Sequence, residues 1–263
     1  MKIVVCIKQV PDTTDVKINP ETNTLIREGV ASIINPFDMY AIEEAVRLKE
    51  RFGGEAIAVT MGPPQAQDAL REALSLGIDS AIHVSDRAFA GSDTWATSLI
   101  LAKAIGKISD VDLLICGKQA SDGDTAQVGP GIGVHLDLPQ ATYVRRIDTV
   151  HLDTTPKIMV VERLLEEGYE LLELKLPALI TVVKEINEPR MPSLRGKMSS
   201  RKAIIPTWTN KDLNIEEERI GLTGSPTQVV KIFTPPQKEG GKTFEGEAKE
   251  VVDNLFDEIK DIL

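Results

Sequence analysis

Apolar runs at residues 2–7, 55–61, 80–84 and 111–116 punctuate the first half of the chain, and segments of helical periodicity lie between them. Lys2-Ile3-Val4-Val5-Cys6-Ile7 is continuously apolar after its first residue, and Val111-Asp112-Leu113-Leu114-Ile115-Cys116 is nearly as solid. Strands that are apolar on both sides are buried on both faces, the situation of a parallel sheet covered by helices. The alternation predicts an α/β fold, a doubly wound and mostly parallel sheet with right-handed crossovers. Apolar residues make up 42% of the 263 positions and aromatics only 4%, so Leu, Ile, Val and Ala must fill the core. The length suits one large domain with an appendage.

Between the runs, residues 16–28 read as a short hairpin turning at Pro20-Glu21-Thr22-Asn23. Asn35-Pro36-Phe37-Asp38 opens the first helix, with Asp38 as the expected N-cap, and Gly53-Gly54 stops it. Residues 65–76 form the second helix, closed by Gly77. Residues 95–107 form the third, capped by Ser92 or Asp93.

After Pro139 the rhythm changes. Residues 143–148, 158–164 and 169–176 read as antiparallel strands, and 177–183 return to the main sheet. A basic, Pro-rich loop follows over 187–202, with Met191, Leu194 and Met198 among Arg190, Arg195, Lys197, Arg201 and Lys202. Such a loop is either simply solvated or a partner contact. Residues 207–213 make a short turn or helix. From Leu222 the chain is linker-like until a helix over 247–262 with Val251, Val252, Leu255, Phe256 and Ile259 on one stripe. The expected organisation is an α/β domain over 1–221, with an antiparallel insertion at about 140–176, and an arm over 222–263. The arm's helix must bury its stripe at home or on another chain, and its long polar linker favours another chain.

Loops at residues 6–10, at Gly62, at 85–94 and at 117–130 all fall at carboxyl ends of predicted parallel strands, where open sheets bind ligands. The last is the most telling: Gly117-Lys118-Gln119-Ala120-Ser121-Asp122-Gly123-Asp124-Thr125-Ala126-Gln127-Val128-Gly129-Pro130. Asp124 or Thr125 is placed to cap a helix whose free N–H groups and dipole favour an anion such as a phosphate. The plainer reading is a capped turn with no ligand.

Other chemistries find no support. There is no P-loop, and Gly129-Pro130-Gly131-Ile132-Gly133 imitates a dinucleotide fingerprint only superficially, inside an expected helix. His83, His135 and His151 are scattered, so no triad is expected. Cys6 and Cys116 sit in separate apolar runs, which suits a reducing cytoplasm with neither disulfide nor metal cluster. Asp86, Asp93, Asp122 and Asp124 fit helix caps or ligand hydroxyls better than Mg²⁺ ligands or bases. A net charge of −10 and a pI near 5.0 argue against nucleic acid or an anionic membrane surface. The chain opens directly into a strand pattern and has no long apolar run, so neither a leader nor membrane insertion is expected. A nucleotide-binding protein without acid–base or nucleophilic machinery is the outcome. A flavin would supply the missing chemistry.

Lys8-Gln9-Val10-Pro11-Asp12, Asn35-Pro36-Phe37-Asp38, Cys116-Gly117-Lys118-Gln119-Ala120, and the run from Val161-Glu162-Arg163 through Gly168 to Pro177-Ala178-Leu179-Ile180-Thr181 resemble the beta subunit of electron-transfer flavoproteins over nearly the whole chain. The resemblance implies an adenine-nucleotide-binding fold. It also implies an alpha subunit that carries a mobile FAD and a nucleotide in the beta subunit's own crevice. That nucleotide is structural AMP in the ordinary branch. In the bifurcating branch it is a second FAD, which takes hydride from NADH and divides the electrons. One goes to ferredoxin or flavodoxin, the other through the alpha-subunit FAD to a dehydrogenase. The ordinary branch has an Asp-Asp-Asp-x-Asn-Gln-Thr type of loop. Asp122-Gly123-Asp124-Thr125-Ala126-Gln127-Val128 departs from it and resembles bifurcating members, as do residues 85–98.

On this resemblance Cys6, Lys8 and Val10 line the adenosine pocket, with Asp38 nearby, and Gly62 and Gly117 belong to the rim. Asp122, Gly123, Asp124, Thr125, Ala126, Gln127 and Val128 hold the pyrophosphate and ribityl chain. Asp86, Gly91 and Thr94 lie against the ring system or its ribityl. Leu194, with Arg195 and Lys197, resembles the element that contacts a partner dehydrogenase. Cys6 fits a small core residue better than a redox role, and Lys8 serves equally as a solvated strand-end charge.

Overall fold

Ile3, Val4 and Val5 are shielded completely from solvent and lie in the middle of a nine-stranded sheet. The computed structural model describes residues 1–12, 32–230 and 240–260; the hairpin expected over 16–28 lies outside them. The strands are β1 (Lys2–Cys6), β2 (Gln9–Pro11), β3 (Ser32–Ile34), β4 (Glu55–Met61), β5 (Ser80–Val84), β6 (Leu113–Gly117), β7 (Gln140–His151), β8 (Ile158–Leu165), β9 (Gly168–Lys175), β10 (Ala178–Val182) and β11 (Thr207–Trp208). The helices are α1 (Pro36–Phe52), α2 (Gln67–Ser75), α3 (Thr94–Ile105), α4 (Val128–His135), α5 (Leu194–Lys202), α6 (Asn210–Leu213) and α7 (Ala248–Ile259).

The sheet order is β11-β5-β4-β1-β6-β10-β7-β8-β9, and β2 pairs with β3 separately. Every pairing from β11 to β7 is parallel, whereas β7–β8 and β8–β9 are antiparallel. The fold is therefore the doubly wound α/β sheet with an antiparallel extension that the apolar runs predict. The chain builds outward from β1 through β4 to β5, then crosses back to place β6 on the other side of β1. That reversal is the switch point, where neighbouring connections leave in opposite directions and open a crevice.

Successive side chains of β1 point to opposite faces. Ile3, Val5 and Ile7 pack with α1 and α2; Val4 and Cys6 pack with α3 and with Ile132 of α4. Burial on both faces is why these strands show no polar alternation.

Three local expectations change. Asp38 does not cap α1: Pro36 occupies the first turn and Asn35 is the N-cap residue, because proline's fixed φ suits a helix start three residues earlier. The basic segment is not wholly a loop. Ser193 Oγ accepts from Gly196 N at 3.0 Å and starts α5 there. Residues 207–208 form an edge strand on β5, too short for any periodicity to reveal.

The chain divides into two units, Met1–Val230 and Lys231–Leu263, so residues 222–230 belong to the first. Within the second, α7 buries no residue, and Val252, Leu255 and Phe256 are exposed. Among the described residues no helix is long and apolar enough to cross a membrane.

Candidate functional site

The carboxyl ends of β1, β4, β5, β6 and β10 share one rim, and the loops singled out from the sequence leave from it. At its centre Cys6 and Cys116 are in-register partners on β1 and β6, both buried. A hydrogen bond with Cys6, and then burial, push the Cys116 thiol well up, so Cys116 is a neutral part of the floor.

Asp38 is the buried anchor of the crevice. It sits in the first turn of α1, and its Oδ2 accepts from Lys8 N at 2.7 Å. Burial pushes its carboxyl up to about 7, against hydrogen bonds from Asn35, Lys8 and Gly117 that favour the charged form. Gly117 makes the arrangement possible. A Cβ there would stand 2.3 Å from Asp38 Oδ1 and 2.7 Å from the carbonyl carbon of Phe37, so only glycine lets α1 approach the end of β6 this closely.

Three side-chain links then tie the separate loops into one structure. Lys8 Nζ donates to Asp122 Oδ1 at 2.6 Å and Oδ2 at 2.8 Å, joining the β1 loop to the β6 loop. Thr94 Oγ1 donates to Gln127 Oε1 at 2.9 Å, joining the β5 loop to the same stretch. Asn35, fully buried, donates from Nδ2 to Gln119 O at 2.8 Å and accepts at Oδ1 from Ser121 N at 3.0 Å. Asn35 was not picked out as a site residue. The signal was its place before Pro36, where an asparagine that does not cap its own helix is free to grip something else.

The loop after β6 is mostly backbone at the surface. Asp124 and Ala126 are left-handed, at φ 52° and 55°. Neither Asp124 nor Thr125 caps α4. The N-cap residue is Gln127, which makes no side-chain cap bond, while Asp124 Oδ1 accepts from Gln119 Nε2. The left-handed pair uses up two residues in turning the chain, so the helix begins later than the cap-like residues suggest. Among the described residues no backbone acceptor takes the N–H groups of Thr125, Ala126, Gln127 or Val128. Free N–H groups at a helix start are a ready place for an anion.

The fingerprint-like glycines have a packing role. A Cβ on Gly129 would stand 2.8 Å from Thr181 Cγ2, and one on Gly131 would stand 2.4 Å from Ser98 Oγ. They let α4 lie close against β10 and α3. Ser98 Oγ also bonds Thr94 O at 2.6 Å and Val128 O at 3.2 Å, which fixes the start of α4 to α3.

The remaining sequence candidates fall as follows. Val10 is buried in the β2–β3 pair, opposite Ile33. Gly62 bonds Val84 O through its N–H and accepts at its carbonyl from the His83 ring. Gly123 is exposed. Gly91 is left-handed, at φ 77°, and lies beside Leu222. Asp86 spends both oxygens on backbone, accepting from Ala88 N at 3.0 Å and Asn210 N at 2.9 Å. Those bonds hold its carboxyl below the usual range and give it a scaffold role. Leu194, Arg195 and Lys197 are exposed on α5, away from the rim on the α2 side of the sheet.

An open parallel sheet with a loop-built crevice at its switch point defines a doubly wound α/β binding protein. Residues 22–213 match the model of the electron transfer flavoprotein domain. The chain is 50% identical over 260 residues to the electron transfer flavoprotein subunit beta of Thermoanaerobacterium thermosaccharolyticum, covering 98% of each chain. It is 49% identical over 263 residues to the caffeyl-CoA reductase-Etf complex subunit CarD of Acetobacterium woodii, covering 99% of this chain and 98% of that one. It is 52% identical over 239 residues to protein FixA of Azotobacter vinelandii, covering 89% and 84%. The chain belongs to the electron transfer flavoprotein family, as a beta subunit.

Proposed function

We propose that the rim of this subunit holds FAD, and that the chain works with a flavin-bearing alpha subunit to pass electrons from NADH to two acceptors. When bound, the flavin supplies hydride acceptance from NADH and release of single electrons, one to a ferredoxin or flavodoxin and one through the alpha-subunit FAD to a dehydrogenase. The observation that carries this reading is the stretch from Asp122 to Val128, exposed but for the half-buried Ala126 and Val128, with four N–H groups that no backbone acceptor takes.

The residues fit such a group. The N–H groups of Thr125, Ala126, Gln127 and Val128 would receive phosphate oxygens, as helix starts do. Thr94 orients Gln127 from behind. Ala126 offers only a methyl group, where the AMP pattern of the family places Asn, and Val128 stands where it places Thr. Two of the three side chains that would grip a single AMP phosphate are therefore replaced by apolar ones, with Gln127 kept, which favours a ligand held along its backbone contacts. Cys6, Val10 and Asp38 shape the inner end of the crevice.

For the dehydrogenase the reading assigns α5. Leu194 stands 77% exposed beside Arg195 and Lys197, in a chain of net charge −10. One relative of this length carries the name of a subunit of a caffeyl-CoA reductase-Etf complex, which supports a reductase or dehydrogenase as partner.

The test is the nucleotide content of the purified heterodimer. Two FAD per heterodimer are expected, together with NADH-driven ferredoxin reduction only when a high-potential acceptor is present. One FAD plus one AMP would overturn the FAD assignment and leave the structural-AMP alternative. Replacing Thr125 and Gln127 with bulky apolar residues should release the nucleotide of this subunit alone.

A further inference from the structure

The β5 loop is held from two sides. Toward the crevice, Thr94 bonds Gln127 at 2.9 Å and Ser98 bonds Val128 O at 3.2 Å. On the other side lies a strap, residues 221–227, the last part of the first unit before the chain continues as the arm. Gly221 N donates to Ser92 Oγ at 3.0 Å. The buried Ser225 hydroxyl accepts from Asp93 N at 2.8 Å and donates to Gly221 O at 2.6 Å. Thr227 donates from both N and Oγ1 to Asp93 Oδ2, at 2.9 and 2.8 Å. Gly221 is left-handed, and a Cβ on it would stand 2.3 Å from Ala88 O, so strap and loop meet backbone to backbone.

Asp93 is the junction. Its Oδ1 caps α3 by accepting from Ala96 N at 3.0 Å, while its Oδ2 holds Thr227. Burial alone would raise this carboxyl; the bonds from Ala96 and Thr227 outweigh it and keep it charged. The next residue, Thr94, reaches Gln127. A path of bonded groups therefore runs from Thr227 through Asp93 and Thr94 to the stretch proposed to hold a nucleotide. None of these strap residues is near enough in sequence to be tied to Gln127 by local structure.

We infer that Asp93 is a positioning residue that couples the two segments, so that a nucleotide held at residues 124–128 stiffens the strap, and a seated strap tightens nucleotide binding. The inference rests on the nucleotide site proposed above. Coupling between two such segments is reciprocal: whatever binding does to the strap, the strap does to binding by the same factor. The device places the root of the arm under the influence of the crevice.

The test is hydrogen exchange on the purified complex of the chain with its flavin-bearing partner, stripped of nucleotide and then supplied with AMP or FAD. Exchange is expected to slow about tenfold both over residues 120–130 and over 221–227. In Thr227→Val, protection of 120–130 at saturating nucleotide should persist while the response of the strap is lost. By reciprocity, Thr227→Val should raise the nucleotide Kd about threefold to tenfold. Protection of 120–130 with an unresponsive strap in the unmodified chain would overturn the coupling and leave the nucleotide site standing. An unchanged Kd in Thr227→Val would overturn it as well. No protection of 120–130 by either nucleotide would overturn the site and the coupling together.

Discussion

Lys8 Nζ and Asp122 Oδ1 stand 2.6 Å apart across the switch point, one from the loop after β1 and the other from the loop after β6. The pair occupies the mouth of the crevice and neutralises a cation that would otherwise face an anionic ligand. Its partners are half and one-quarter exposed, so its contribution to stability is under about 1 kcal/mol. Asp122→Asn is therefore expected to leave stability nearly unchanged and to strengthen nucleotide binding severalfold at low ionic strength. The gain should shrink in high salt, because exposed charges are screened. Calorimetric titration at two salt concentrations checks this; weaker binding in Asp122→Asn at both would contradict it.

Gly117→Ala should be among the most damaging small substitutions in the chain. The added methyl would meet Asp38 Oδ1, the Phe37 carbonyl carbon and Asp38 N at 2.3, 2.7 and 2.8 Å; the last two are backbone atoms, and the Asp38 carboxyl is buried and held by Lys8 N. A loss of about 2–4 kcal/mol in urea denaturation is expected. Gly123→Ala is the control: nothing lies within 4 Å of its position, and a change below about 0.5 kcal/mol is expected.

Asp38 gives the fold a pH dependence. Its carboxyl is raised by burial from 3.8 to about 7, so between those values the folded chain binds a proton that the unfolded chain has released. Its contribution is then most favourable below pH 4 and is lost as pH rises toward 7. Asp38→Asn keeps an acceptor for Lys8 N and removes the titration. Relative to the variant, the unmodified chain should lose roughly 2–4 kcal/mol between pH 4 and pH 7. Paired denaturation curves across that range decide it; a constant difference would show that Asp38 does not titrate there.

Arg190 fixes the approach to α5. It grips Glu43 through Nε at 2.8 Å and Nη2 at 3.2 Å, and Glu50 through Nη1 at 2.7 Å and Nη2 at 3.0 Å. Glu43 is buried, yet Arg47 also reaches it at 3.0 Å, and Arg190 is one-third exposed. Arg190→Met should therefore cost about 1–3 kcal/mol, less than breaking a fully buried pair. Arg190→Lys should recover only part, since a single ammonium cannot serve two carboxylates side-on. Thermal unfolding measures the cost, and faster amide exchange over residues 187–192 would locate it. Undisturbed exchange there would refute the clamp.

The parallel sheet was legible because burial on both faces leaves a mark in every residue of a strand. The antiparallel extension was legible in the change of rhythm after Pro139 and the strand-like runs at 158–164 and 169–176. Helix α5 was not, since Pro192, Gly196 and five basic residues hide a nine-residue helix whose cap is a single serine. Asp38 and Asp124 looked like caps because their chemistry suits one. Pro36 in the first case, and left-handed residues in the second, moved the helix starts away from them.

By itself the sequence determined the alternation of strands and helices that builds the main sheet, the rim at which the loops gather, and the family to which the chain belongs. It could do so because apolar periodicity and local motifs are properties of neighbouring residues. Only the tertiary structure decided which loop side chains meet: Lys8 with Asp122, 114 positions apart; Asn35 with Gln119, 84 apart; Thr227 with Asp93, 134 apart. The first two contacts depend on β6 returning to the far side of β1, and on glycines that let helix and strand backbones touch. Neither the return nor the touching leaves any trace in the residues next to them.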